Sequence, residues 1–202
     1  MPIVTYYMTV NSPWTYLGSA RFAEMARRHG YSVDIKPAKF GDVFAKTGGF
    51  PLPKRSPERR AYRLMDMQRW RDHLKVPINL EPKHFPSNEV PGTRLVLAAK
   101  LAGKDAHALA TEIGKALWEK EQDIGTDAVL AECAQRAGID AAAIRKAGPS
   151  DAELDALHDA FTTEAISRGV FGAPSYVLES GEIFWGQDRL EFLDRALAAP
   201  RA

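Results

Sequence analysis

A serine followed by a proline, Ser12-Pro13, stands where a run of β-branched and aromatic residues (Ile3 to Met8) gives way to a helical pattern. A hydroxyl there sits on a helix N-terminus, where unpaired N–H groups and the helix dipole favour a negative charge. Far along the chain, Phe171-Gly172-Ala173-Pro174-Ser175-Tyr176 leads into another strand. An X-Pro bond at a strand start is a place where a cis peptide can turn backbone groups toward a ligand. The block Trp185-Gly186-Gln187-Asp188 follows, in which Gly186 permits close backbone approach and Asp188 stands where it could cap the last helix. Lys54 opens a stretch with Arg55, Arg59, Arg60, Arg63, Arg69 and Arg71 against Glu58 and Asp66, a basic rim able to attract anions. Each feature also has a plain reading. Ser12 could be an N-cap only, Pro174 a trans proline opening an edge strand, and most of the arginines solvated surface.

The elements that must position these groups follow from the pattern. Ile3 to Met8 reads as a strand, with Ser12 as cap and Pro13 in the first turn of a helix running to about His29 and stopped by Gly30. Tyr31 to Ala38 reads as a second strand parallel to the first, which makes a right-handed crossover unit. From about Gly41 to Gly169 helical signals take over, over Pro57–Leu74, Thr93–Leu101, Asp105–Glu121, a helix capped by Thr126 and ending near Gly138, and Asp140–Ala147. Ser150-Asp151-Ala152-Glu153 is a capping box for one more helix, ending at Gly169. Thr47-Gly48-Gly49 reads as a flexible turn. Strand character returns at Ser175–Leu178 and pairs back at Ile183–Trp185 around a tight turn, before a last helix over Arg189–Leu197. The order is βαβ, a block of helices, then ββα.

Composition narrows the class. A chain of 202 residues with 26% charged residues and net charge +1 has the balance of an ordinary soluble protein, without a global bias toward nucleic acid or membrane. No run approaches the roughly 20 apolar residues that span a bilayer, and the N-terminus shows neither the basic nor the apolar region of a signal peptide. The single cysteine, Cys133, cannot form an internal disulfide, which fits a reducing compartment, and the expected location is the cytoplasm. Cys133 lies mid-helix among alanines and is expected to be a small buried filler. The five histidines show no i, i+4 pair and no cysteine neighbours, so no metal site is expected. The basic stretch lacks interleaved exposed aromatics, and no nucleic-acid partner is expected.

Over nearly its whole length the chain resembles the kappa-class glutathione transferases and, more closely, the 2-hydroxychromene-2-carboxylate isomerases. The likeness rests on Asn11-Ser12-Pro13-Trp14-Thr15-Tyr16-Leu17, Gln68-Arg69-Trp70, Val170-Phe171-Gly172-Ala173-Pro174 and, most specifically, Trp185-Gly186-Gln187-Asp188-Arg189-Leu190. It implies an α/β, thioredoxin-like fold with a large all-helical domain inserted in the middle. Residues 1–40 and 170–202 would make the thioredoxin-like domain, and residues 41–169 the insert. Redox members of that superfamily begin the first helix with Cys-x-x-Cys. Here the stretch reads Asn11-Ser12-Pro13-Trp14, which excludes disulfide chemistry at this place.

The resemblance further implies glutathione as cofactor, with Ser12 as the catalytic residue that positions and stabilises its thiolate. Ala173, through backbone groups freed by a cis Ala173-Pro174 bond, would hold the cysteinyl part. Trp185, Gly186, Gln187 and Asp188 would hold the γ-glutamyl end, Asp188 pairing with the α-ammonium. The implied reaction is a cis–trans isomerisation of 2-hydroxychromene-2-carboxylate to trans-o-hydroxybenzylidenepyruvate, in naphthalene-type aromatic breakdown, by reversible thiolate addition, bond rotation and elimination. Lys54 matches a position used near an anionic ligand group. The family's lysine after the second strand aligns with Phe44, leaving Lys46 two residues on as the nearest cation, and a family tyrosine falls near His84-Phe85, with Phe85 as a wall for an aromatic ring. A homodimer is also implied. Two other readings stay open: a kappa-like transferase that conjugates glutathione to electrophiles, and a non-catalytic thioredoxin-like binding module.

Overall fold

Ile3–Met8 forms β1, Pro13–Arg28 forms α1 and Ser32–Pro37 forms β2, which runs parallel to β1 with Tyr6 opposite Ile35. These come from a computed structural model that describes residues 1–199. Seven helices follow among the described residues: α2 (Phe40–Thr47), α3 (Pro57–Leu74), α4 (Val90–Leu101), α5 (Ala106–Trp118), α6 (Asp127–Arg136), α7 (Ala141–Ala147) and α8 (Asp151–Ser167). The chain then returns to the sheet as β3 (Ser175–Leu178) and β4 (Ile183–Trp185), passes through a 3-10 turn over Gln187–Arg189, and closes with α9 (Leu190–Ala198). The sheet order is β2-β1-β3-β4, with β3 antiparallel to both β1 and β4. This is the thioredoxin-like arrangement with helices between its two halves.

Strand alternation divides the core. Val4, Tyr6 and Met8 of β1 face a large apolar cluster that also takes Phe22 of α1, Leu95 of α4, Ile113 and Trp118 of α5, and Leu193 of α9. Tyr7 and Val177 point the other way, onto Val43 of α2 and Ala165 of α8. The capping box forms as read: the Ser150 hydroxyl accepts from the Glu153 N–H, and the Glu153 carboxylate accepts from the Ser150 N–H at 2.8 Å.

Three local expectations are corrected. Helix α2 was not foreseen, because Gly41 sits at its second position and no side chain caps it, although Phe40, Val43 and Phe44 keep helical spacing. It ends on Gly48 in the left-handed region, φ 79°. Thr126 does precede α6, but its hydroxyl donates to the Asp123 carbonyl at 2.9 Å instead of capping the helix. Asp188 does not cap the last helix either. It lies inside the 3-10 turn, and its carboxylate accepts from Arg189 at 2.9 Å.

Helix α1 meets the hairpin without spare room. A Cβ on Gly18 would stand 2.8 Å from the Gln187 Cβ and 2.8 Å from the Tyr176 hydroxyl. Gly18→Ala therefore has to push α1 away from the turn that carries Gln187 and Asp188. The expected cost is about 1–3 kcal/mol for overpacking, read as a lower urea midpoint together with weaker ligand binding.

Candidate functional site

The Ser12 turn is held from both sides. Ser12 has extended dihedrals (φ −82°, ψ 125°), and its Oγ accepts from the Thr15 N–H at 3.2 Å, with Pro13 supplying the preset first turn. Its hydroxyl proton remains available to an acceptor, and no acidic residue occupies the first turn of α1 to offset the helix dipole. The Asn11 side chain exchanges two hydrogen bonds with the backbone of Ser87, at 2.8 and 3.3 Å. Thr9 donates to Glu89, whose carboxyl pKa burial raises. The serine is therefore set on a turn braced by the segment that leads into α4.

The second junction has the geometry that its sequence invites. Ala173-Pro174 is cis, Gly186 donates to the Pro174 carbonyl at 2.9 Å, and the Ser175 hydroxyl donates to the Gly172 carbonyl at 2.7 Å. Among the described residues no hydrogen bond engages the backbone N–H or C=O of Ala173. Gly172 must stay bare, because a Cβ there would lie 2.2 Å from the Trp185 indole nitrogen. Gly186 has φ 97° and ψ 149°, a region essentially confined to glycine. Trp185 is half exposed and packs on Phe171 with ring centroids 4.7 Å apart.

These groups open on a cleft of about 710 Å³, walled by Trp14 of α1, Phe44 of α2, one side of α3 and the segment Trp185–Arg189. Ala173, Trp185, Gly186, Gln187 and Asp188 all line it. Ser12 is not among the lining residues, although Trp14, two residues on, is. The Gln187 side chain turns into the protein and accepts from Arg21 at 2.7 Å, and the residue is almost fully buried. Lys46, exposed in the last turn of α2, Lys54, exposed in a 3-10 turn, and Phe85, half-buried against Trp118, do not line the cleft.

Two lining residues come from the basic stretch, most of whose arginines read as solvated surface. Asp66 faces the same cleft as Asp188, and its carboxyl pKa is raised, first by burial and further by the Asp188 charge. Two carboxylates near each other suit an ammonium group. Arg63 is 9% exposed, its guanidinium over the rings of Phe85 (5.3 Å) and Trp118 (5.8 Å). Their signal was available: Arg63, Met67 and Trp70 share one face of α3, and a charged residue in an apolar register is the anomaly to follow.

The unengaged backbone of Ala173, the paired carboxylates and the free hydroxyl proton at a helix head fit a small zwitterionic thiol peptide such as glutathione. Cys133 offers no competing nucleophile, since it is fully buried and burial pushes its thiol up to about 11. Among the described residues no group of three or more His, Cys, Asp or Glu side chains could hold a metal ion, and no helix is long and apolar enough to cross a membrane.

Fold and cleft together define a thioredoxin-fold protein in which a serine occupies the head of the first helix. Residues 3–198 match the family model of the DSBA-like thioredoxin domain, and the chain belongs to that family. It is similar to the 2-hydroxychromene-2-carboxylate isomerase of Sphingobium xenophagum, 29% identical over 196 residues that cover 96% of this chain and 97% of that protein. The isomerase of the same name from Pseudomonas sp. (strain C18) is 27% identical, covering 96% and 90%. A solved structure of selenomethionine 2-hydroxychromene-2-carboxylate isomerase matches with a TM-score of 0.77 at 26% identity, over 96% of this chain and 94% of that one.

Proposed function

We propose that this protein is a glutathione-dependent cis–trans isomerase, converting 2-hydroxychromene-2-carboxylate to trans-o-hydroxybenzylidenepyruvate. The observation that carries the reading is a serine-headed α1 in a chain whose relatives, matched end to end, are isomerases of that name. Bound glutathione would supply a thiolate able to add reversibly to a conjugated double bond and leave again after rotation. The chain's own residues would do the rest. The Ser12 hydroxyl donates to the sulfur anion, and the N-terminus of α1 adds its dipole, both favouring thiolate over thiol. The Ala173 backbone binds the cysteinyl peptide unit, and Asp188 with Asp66 holds the ammonium end. The half-exposed rings of Trp185 and Phe171 line one side of the cleft. The reading extends to a homodimer in the cytoplasm.

Product analysis tests it. Incubation with the chromene carboxylate and glutathione should yield the trans acid with glutathione recovered in full. A stable glutathione adduct would make the protein a kappa-like transferase, and no glutathione-dependent change would leave a binding module.

A further inference from the structure

Arg63 is the odd residue of the cleft. It is nine-tenths buried, yet among the described residues no hydrogen bond and no ion pair engages its guanidinium. Its guanidinium carbon lies over the rings of Phe85 and Trp118, a cation–π contact that holds the head in place while leaving its N–H groups unused. Glu81 acts on it only at a distance, and Arg55 close by adds to the strain of holding the charge. Burial pulls its pKa down to about 10, the mark of a cation kept without a counter-charge. A buried charge left this way is costly unless something completes it.

The other cations are less suited. Arg55 already spends its Nε–H on the Phe50 carbonyl at 2.8 Å, Arg59 is exposed, and Lys46 and Lys54 stand outside the cleft wall. The wall of the cleft that Arg63 also lines carries Trp14, Phe44, Phe50, Tyr62, Trp70 and Trp185, an unusual density of rings. The carboxylates Asp66 and Asp188 face the same space and would repel a lone anion, so they are better matched to a separate cationic group.

We infer that Arg63 is the residue that binds the substrate carboxylate, gripping it through its planar fork while the conjugated body of an aromatic acid lies among the surrounding rings. The identity of that acid as the isomerisation substrate rests on the function proposed above, while carboxylate capture by Arg63 does not. A fork matched to a carboxylate also makes a prediction about selectivity. Charge-assisted hydrogen bonds of this kind discriminate a carboxylate from its amide by roughly tenfold or more.

Calorimetric titration with trans-cinnamate and with trans-cinnamamide, without glutathione, reads this directly. The wild-type protein should prefer the acid by about tenfold or more, and Arg63→Gln should erase the preference while leaving amide binding in place. Arg63→Lys keeps the charge but loses the fork, and should retain only part of the preference. It serves also if the glutamine variant fails to fold, which a thermal melt reports. The inference is overturned if the wild type binds no cinnamate or shows no preference, or if the folded Arg63→Gln protein, or Arg63→Lys where it does not fold, keeps the full preference. It is equally overturned if Arg63→Gln weakens glutathione binding and leaves the selectivity, since the anion held would then be the glycyl carboxylate. Failure to bind glutathione with the cinnamate preference intact would remove the isomerase reading and leave Arg63 in its role.

Discussion

Ser12→Ala is expected to lower turnover by roughly 10²-fold, the smaller end of what removing one donor to a developing anion costs. The variant should retain most of its glutathione affinity. That affinity is assigned largely to the Ala173 backbone and to Asp188, which the substitution does not touch. The thiol pKa of bound glutathione should rise by about one unit, equivalent to roughly 1.4 kcal/mol of lost preference for the anion. Alanine also removes the N-cap bond to Thr15, worth about 0.5–2 kcal/mol of stability. Ser12→Gly separates the two effects, because glycine is a tolerable N-cap and has no hydroxyl. Its stability should stay near wild type while its turnover falls as far as that of the alanine variant. Full activity in either protein would end the role given to Ser12.

The second large effect lies away from the cleft. His107 of α5 is 8% exposed, its Nε2 lies 3.0 Å from the Ser19 hydroxyl, and its ring packs on Tyr6 and Phe22. Burial lowers its pKa from 6.5 to about 4. The unfolded chain therefore takes up the proton at a higher pH than the folded one. The contribution of His107 to stability is complete above about pH 6.5, is lost as the pH drops toward about 4, and levels below that. The gap corresponds to about 3 kcal/mol. Urea midpoints measured across that interval should show the loss in the wild type, and His107→Gln should be flatter by that amount. Equal slopes in the two proteins would mean that His107 is not held neutral.

Most of what positions the cleft was legible because it rests on local rules. The β-branched and aromatic run Ile3–Met8, Ser12 ahead of Pro13, Gly30 after α1 and the Ser150–Glu153 box each state their element without help from the rest of the chain. Helix α2 escaped because its two glycine ends look like loop, and its apolar residues only make sense once the lower face of the sheet exists to receive them. The substrate side was harder still. Lys46 and Lys54 are suitable by charge and alignment, but which cation faces a cleft is decided by tertiary packing. Arg63 reaches across from α3 to lie over Trp118 of α5, whereas Lys46 on α2 and Lys54 in a 3-10 turn stay in solvent. No short stretch of sequence encodes a contact between residues 63 and 118.

The central claim is that this chain holds glutathione as a thiolate, and a pH titration of the ultraviolet thiolate band in the complex tests it most directly. The buried thiol and the buried phenols stay silent in the relevant range. Burial keeps the Cys133 thiol at about 11 and raises the phenols of Tyr6, Tyr7, Tyr16 and Tyr176 beyond their ordinary value. Saturable binding with a thiol pKa well below the ~8.5 of a free thiol is the predicted result. Absence of binding, or a bound thiol that still titrates near ~8.5, would contradict it.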